Sequence, residues 1–433
     1  MVSAVQKPLD IEPTATSPRI AAFSISGGIF KKPHRIEFPV PANAEPEPSV
    51  LILSGSNGSG KTTILKMIAG MLEMNFDIFR KIPFQFASLD LSDGSSLTVH
   101  KTQNPDFPLR VTFGNLSVEL FKIRSKSGYP PDHYPKVQHL RQHALATLGQ
   151  INFELLDIHR SLALKGVDPD EDDFAARNPE GHWVHYKHSR PGEKVTTLSE
   201  RVQTFMRDAQ INYRRFFSAE ELELLPRIVE RFQKPPKPPT AGSLMERVRQ
   251  VQNRFSVMKR FGLQTDDADL KALIDLLEDE HHAKNPFSLT VIEAYVETQE
   301  TRNKARELIA KRLLEFESIM DEFLVGKFVR IDARSGLRIQ TKGGTALTET
   351  ELSSGEYHFL YMMVTALLCQ RLGSIIAIDE PELSLHVTWQ RRVLSALARC
   401  AAGAAPLFVF ATHSPAISAE HSDKIYELSA VEG

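Results

Sequence analysis

The sequence predicts an α/β fold interrupted by a helix-rich middle, and three observations carry that reading. Residues Gly55 to Thr62 read GSNGSGKT, between an apolar run from Val50 to Leu53 and a helix-like continuation from Thr63 to Ala69. Far downstream, Ile375 to Glu382 reads IIAIDEPE, an apolar strand ending on two acids. Between them, from about Pro130 to Val325, apolar residues recur at helical spacing.

Taken in order, residues 1–18 are rich in Pro, Ser and Thr and read as a disordered tail. Ile20 to Ile25, Arg35 to Phe38 and Val50 to Leu53 read as strands. Ser88 to Val99 reads as a hairpin turning at Asp93-Gly94.

The GSNGSGKT segment fits G-x-x-x-x-G-K-[ST] in the strand-to-helix context the motif needs. Gly55, Gly58 and Gly60 let the backbone curl until its N–H groups converge on phosphate oxygens, and the next helix offers its positive end to the same charge. Ser56, Asn57, Ser59 and Thr63 complete the expected nucleotide-binding stretch. Lys61 would reach the β- and γ-phosphates, and Thr62 would take one Mg²⁺ position. The bland alternative, a Gly-rich turn without a ligand, gives no reason for the Lys-Thr pair.

The acids of DEPE stand where open α/β sheets keep their ligand sites. Adjacent side chains leave a strand in different directions, so one acid can serve a metal and the next a water molecule. Asp379 is assigned to the metal and Glu380 to the attacking water. An acidic turn capping a strand is the competing reading.

In the middle, Leu244, Val248, Val251, Phe255 and Met258 make one helical stripe, and Ile309, Leu313, Phe316, Met320 and Phe323 make another. Packed core is favoured for both over a dimer seam. The segment PPKPPT, Pro235 to Thr240, is a stiff connection between helices. Lys327 to Asp332 and Gly336 to Thr341 read as strands, and a helix is expected from Gly355 to Arg371.

Composition excludes several classes. The 433 residues are 42% hydrophobic and 24% charged, enough for two or three folding units, and a net charge of −2 argues against a strongly basic nucleic-acid protein. No apolar run approaches membrane length and no leader is evident, so a cytoplasmic protein without membrane contact is expected. The two cysteines, Cys369 and Cys400, read as reduced core residues. Arg201, Arg207, Arg214, Arg215, Arg247, Arg249, Arg254, Lys259 and Arg260 concentrate positive charge in the middle. That leaves nucleic acid open as a partner, against protein contacts with acidic stretches at Asp168 to Asp173 and Asp266 to Glu280. His182, His185 and His188 are spaced for neither one strand face nor a known zinc pattern.

Four segments together carry a family resemblance: GSNGSGKT, LSSGE (Leu352 to Glu356), DEPE and ATHSP (Ala411 to Pro415). LSSGE looks like the signature of ABC-type ATPases, DEPE resembles their Walker B end, and His413 matches their switch histidine. The wording SLHVTWQ, Ser384 to Gln390, is similar to the group that includes OLD-family proteins, RecF and SMC-type ATPases. The resemblance implies a two-lobed ABC-type ATPase (P-loop NTPase) core with a helical insertion domain. The corresponding division is 19–129 and 327–433 for the core and 130–326 for the insertion.

It also implies a homodimer or higher homo-oligomer binding ATP and Mg²⁺ between copies. Ser353 and the Gly355 backbone would contact the γ-phosphate held by the opposite copy, with His413 contacting it from its own. Ser354 and Glu356 depart from the transporter signature, His386 replaces a common Asp, and Gln85 is the nearest candidate for a Q-loop glutamine, against a partly buried strand residue.

Three functions remain. A transporter subunit is disfavoured, because its signature would follow the P-loop far sooner. A RecF/SMC-like ATPase of DNA repair or recombination is the alternative to a slow, regulated ATPase that acts as sensor in an anti-phage defence system. The chain ends about 20 residues after His413, which on this reading leaves no room for a TOPRIM domain. A separate effector, such as a nuclease or TOPRIM-type protein, is then expected.

Overall fold

The computed structural model describes residues 18–39, 47–120, 134–156, 174–177, 183–186, 197–211, 226, 228–229, 239–263, 268–419 and 421–428. The chain forms two compact units, one from residues 11–196 and 350–433, the other centred on Thr197–Glu349. Strands and helices alternate along it as in an α/β protein.

The first unit holds two sheets. Strands β1 (Ile20–Gly27), β2 (Phe30–Glu37), β4 (Phe86–Leu91), β5 (Ser96–Lys101), β6 (Leu109–Phe113) and β7 (Leu116–Leu120) form an antiparallel sheet in the order β2-β1-β4-β5-β6-β7. The β4–β5 hairpin turns at Asp93-Gly94, with Gly94 at φ 85 and the Asp93 carboxylate accepting the Ser95 N–H at 2.9 Å. Strand β2 starts at Phe30, earlier than the Arg35 expected from sequence, because Gly27 and Gly28 turn the chain directly out of β1. Gly28 permits this at φ 67, and a Cβ there would lie 1.9 Å from the Pro83 carbonyl oxygen.

The second sheet is wholly parallel, in the order β16-β3-β15-β14-β8, from β3 (Ser49–Ser54), β8 (Phe153–Leu156), β14 (Ile375–Asp379), β15 (Leu407–Thr412) and β16 (Ile425–Glu427). One set of its residues, Leu51, Leu53, Ile375, Ala377, Val409 and Ala411, joins the core made with Ile64, Leu65 and Ile68 of the helix Lys61–Leu72. The alternate set, Ile52, Ile376, Ile378, Phe408 and Phe410, is buried as well. Strands covered on both faces read as unbroken apolar runs, which explains the sequences SVLILS, IIAID and LFVFAT. Each such fully buried side chain contributes about 1.5–3 kcal/mol.

Strand β8 falls inside the stretch 130–326 expected to be a helical insertion. It pairs in parallel with β14 from Phe153↔Ile375 to Leu156↔Ile378, so this segment belongs to the parallel sheet. The helix Tyr134–Leu148 leads into it, and β9 (Phe174–Arg177) and β10 (Trp183–Tyr186) form a small antiparallel pair.

The second unit is mostly helical. Its main elements are a helix over 198–211, the helices Ala241–Arg260, Ala268–Glu278 and Pro286–Phe323, and a sheet of β11 (Lys327–Asp332), β12 (Gly336–Thr341) and β13 (Ala346–Leu347). Both expected stripes are core: Leu244, Val248, Val251 and Met258 are buried, as are Ile309, Leu313, Phe316, Met320 and Phe323. The Phe255 side chain lies outside the described residues. Thr240, last residue of PPKPPT, caps the helix Ala241–Arg260 by accepting the Ser243 N–H at 3.2 Å. Residues 1–17 of the expected tail, residues 235–238, the Asp168 to Asp173 stretch, Arg214, Arg215, His182 and His188 lie outside the described residues, as do the side chains of His185 and Arg254.

Part of the charge within this unit is held in intrachain pairs. Arg247 grips Glu300 with two hydrogen bonds, at 2.9 and 2.7 Å, and Arg260 meets Glu317 at 2.5 Å. The buried Glu317 also accepts the Ile331 N–H at 2.9 Å. Glu349 closes the unit by accepting the Leu198 and Ser199 N–H groups, an anion at a helix start, although burial pushes its own carboxyl up.

Candidate nucleotide site

The P-loop runs from the end of β3 to the helix Lys61–Leu72. Gly58 and Gly60 adopt φ 81 and φ 95, and no side chain caps the helix start at Gly60. Gly60 also has no room for a side chain, since a Cβ would come 2.7 Å from the Phe30 ring. The Lys61 ammonium is buried and bends back over the loop, donating to the Gly55 carbonyl at 2.7 Å and the Ser56 carbonyl at 3.0 Å. The buried Ser59 hydroxyl has no protein partner. Ser56 and Asn57 are on the loop, and Thr63 sits one residue past Thr62 in the helix.

Thr62 and Asp379 are far apart in sequence and adjacent in space. The Thr62 hydroxyl donates to Asp379 Oδ1 at 2.9 Å. A hydroxyl and a buried carboxylate at this separation, beside a phosphate-type loop, suit an octahedral, oxygen-liking divalent cation. The donor set therefore fits Mg²⁺ and a nucleotide triphosphate.

Glu380 follows directly, half-buried, with its N–H bonded to the Ala411 carbonyl at 2.8 Å and its backbone at φ 48. A non-glycine residue in the left-handed region costs of order 1 kcal/mol and recurs where a functional side chain is held in place. The turn continues through Ser384, at φ 64, to His386, whose Nδ1 accepts the Thr388 N–H at 3.4 Å and lies 2.8 Å from the Thr388 hydroxyl, capping the helix Val387–Cys400.

The signature segment has a local explanation that sequence reasoning reached only in part. Ser353 accepts the Glu356 N–H at 3.3 Å, and the Glu356 carboxylate accepts the Ser353 N–H at 2.8 Å, a reciprocal capping box. The departure at Glu356 thus serves the helix start. That helix spans Ser354–Leu368, shorter than expected, because Cys369 turns to an extended conformation at ψ 116. Ser353 and Ser354 are exposed, whereas Gly355 is buried against the Ser384 carbonyl.

His413 stands at the end of β15, its ring about half exposed. Sequence reasoning missed its partner. Glu382, the last acid of DEPE, is buried, accepts the His413 N–H at 2.9 Å and Thr412 Oγ1 at 2.7 Å, and holds its Oε1 3.0 Å from His413 Nδ1. Gln390, within the SLHVTWQ wording, was another available signal. Its amide donates to the Leu385 carbonyl at 3.0 Å and its oxygen accepts from Ser414 Oγ at 2.8 Å. Gln85 is exposed at a bend before β4, not a partly buried strand residue.

Lys61, Thr62, Asp379, Glu380 and His413 all stand at the carboxyl ends of adjacent strands β3, β15 and β14 or directly after them. Among the described residues no group of three or more His, Cys, Asp or Glu side chains is placed to hold a metal ion, and no helix is long and apolar enough to cross a membrane.

The family model described as "AAA domain, putative AbiEii toxin, Type IV TA system" matches residues 50–419, and the chain belongs to that family. No curated protein matches it. Among solved structures, it is similar to a Smc head domain with an extended coiled coil, bound to the C-terminal domain of ScpA, from Pyrococcus furiosus, at 14% identity and a TM-score of 0.41, covering 93% of this chain and 91% of that one. A second SmcHead structure, bound to the C-winged helix domain of ScpA, shows 10% identity and a TM-score of 0.38, covering 93% and 92%.

Proposed function

We propose that this AAA-domain protein binds and hydrolyses ATP as a dimer and acts as a sensor or regulator in an anti-phage defence system, controlling a separate effector. The hydrogen bond between Thr62 and Asp379 carries the chemical part of this reading. It joins the P-loop to the acidic strand end, where a nucleotide and its metal need both.

Lys61 leaves the Gly55 and Ser56 carbonyls and binds the β- and γ-phosphates, while the loop from Gly55 to Gly60 and the uncapped helix start donate N–H groups. Thr62 and Asp379 would hold Mg²⁺, which would supply positive charge against the phosphates. Glu380 orients the attacking water and takes its proton. His413 contacts the γ-phosphate from the same copy, and Ser353 contacts it from the opposite copy at the start of a capped helix. The defence setting is supported by the family description, which names a toxin of a toxin–antitoxin system.

Purified protein tests the chemistry. Glu380→Gln should bind ATP and hydrolyse it about 10²-fold or more slowly, and Lys61→Ala should lose binding. Wild-type turnover by Glu380→Gln, or turnover that survives chelation of Mg²⁺, would reject these roles.

The alternative, a RecF/SMC-like ATPase of DNA repair or recombination, is supported by Arg207, Arg249 and Lys259, which are exposed on the helical unit. Arg247 and Arg260 count against it, since both are committed to carboxylates of their own chain. Turnover stimulated by DNA would favour the alternative.

A further inference from the structure

Glu382 has no role in the scheme above, yet it is a carboxylate only 7% exposed. Burying a charge so far from water is costly unless its oxygens are satisfied. Its two donors, and the ring nitrogen that lies 3.0 Å from it, all come from the end of β15. Thr412 Oγ1 serves Oε2, the His413 N–H serves Oε1, and Nδ1 stands 3.0 Å from the same Oε1.

We propose that Glu382 is the positioning residue for His413. By taking the Nδ1 proton in a hydrogen bond, it leaves Nε2 as the ring nitrogen available to an anionic oxygen of the ligand. The inference rests on the ATPase reading in that the oxygen belongs to the γ-phosphate. The burial pattern suits an anchor and an arm, with side-chain exposures of 6% for Glu382 and 43% for His413.

The chemistry needs the charge as well as the geometry. A neutral ring protonated at Nδ1 presents a lone pair at Nε2, which repels phosphate oxygen. An imidazolium donates from both nitrogens, so the contact with a phosphate oxygen needs a ring that carries both protons. Among the described residues, Glu382 is the carboxylate in contact with the ring.

The anchor is itself held. Gln390 donates to the Glu382 and Leu385 carbonyls and accepts from Ser414, and the Ser414 N–H donates to Thr412 Oγ1 at 2.9 Å. The turn after β14 and the chain after β15 are therefore stitched on both sides of the Glu382–His413 pair.

The test reads the ring nitrogens directly. In protein labelled with ¹⁵N-histidine, the His413 resonances are assigned by their loss in His413→Gln and read at a pH where the ring is neutral. The Nδ1–H tautomer is expected in the wild type and in Glu382→Gln, whose amide oxygen can still accept, and its loss is expected in Glu382→Ala. Turnover of Mg-ATP should fall about tenfold or more in both variants, with ATP affinity held within about threefold. A wild-type ring in the Nε2–H tautomer would overturn the proposal without any variant having to fold. So would Glu382→Gln turning over at the wild-type rate. If the wild type itself hydrolyses no ATP, the ATPase reading fails while the tautomer still decides whether Glu382 positions His413.

Discussion

A Cβ added to Gly355 would lie 2.2 Å from the carbonyl oxygen of Ser384, so the signature helix sits directly on the turn that follows the acidic strand end. His358, one helical turn further on, completes the contact through a 3.1 Å hydrogen bond between Nδ1 and the Leu383 carbonyl. The glycine that the family resemblance assigns to ligand contact is thus required by packing within its own chain. Ser353 and Ser354 are left as the exposed members of the motif.

This arrangement predicts that Gly355→Ala destabilises the fold by about 1–3 kcal/mol, because the blocking atom is backbone and cannot rotate away. Gly58→Ala is the matched control. Nothing lies within 4 Å of its added Cβ, so it should lose only the roughly 1 kcal/mol of a left-handed backbone at φ 81. Chemical denaturation measures both, and equal midpoints would show that the Ser384 contact is absent.

The same contact predicts a pH dependence. Burial holds the His358 pKa below its usual 6.5, outweighing the opposing effects of Leu383 and Glu382. The unfolded chain then binds more protons than the folded one, so stability is full above about pH 6.5 and falls as the pH drops below it, until the folded pKa is reached. His34 shifts in the same direction, through burial and then Lys32. His358→Gln should remove part of a slope of up to about 1.4 kcal/mol per pH unit per group. An unchanged slope in denaturation series between pH 7 and pH 5 would assign the effect elsewhere.

The parts legible in the sequence are those whose reason is local. GSNGSGKT and DEPE carry residue types that a strand end has little use for unless something binds, and SVLILS and LFVFAT are unbroken apolar runs because both sheet faces are covered. The stripes beginning at Leu244 and Ile309 repeat at a helix's own period, so they were readable as core. Strand β8 was not readable, since FELL is four residues long and has no alternation to separate it from the helical run around it. Glu382 and Gln390 were missed for a different reason. Their partners, His413 and Ser414, are more than twenty residues away, and only the parallel pairing of β14 with β15 brings them together.

The helical unit's basic residues separate into two predicted classes. Arg247→Ala removes two hydrogen bonds to Glu300 and the ion pair with Glu293 on a half-buried face, and should cost stability by about 1–3 kcal/mol. Arg249→Ala and Lys259→Ala, both at exposed positions, should leave stability within about 0.5 kcal/mol. If these two meet phosphate backbones, their joint removal should lower the salt slope of DNA binding by about two. An unchanged slope, with altered oligomer size, would assign the exposed charges to protein contacts.

Assembly is tested through Ser353, whose hydroxyl has two duties that one substitution can separate. Ser353→Asp keeps an N-cap, because a carboxylate accepts the Glu356 N–H as the serine does, so the helix Ser354–Leu368 should remain stable to within about 0.5 kcal/mol. The same carboxylate places negative charge where a phosphate of the opposite copy is expected, and turnover should collapse. Lys61→Ala removes the other half of the site. Neither variant alone should hydrolyse ATP, whereas a mixed dimer holds one site with both the wild-type Lys61 and the wild-type Ser353. Recovery of up to about half the wild-type turnover per mixed dimer is expected, since one site of two is intact. Mixed dimers confirmed by mass that stay inactive would place Lys61 and Ser353 at the same nucleotide within one chain.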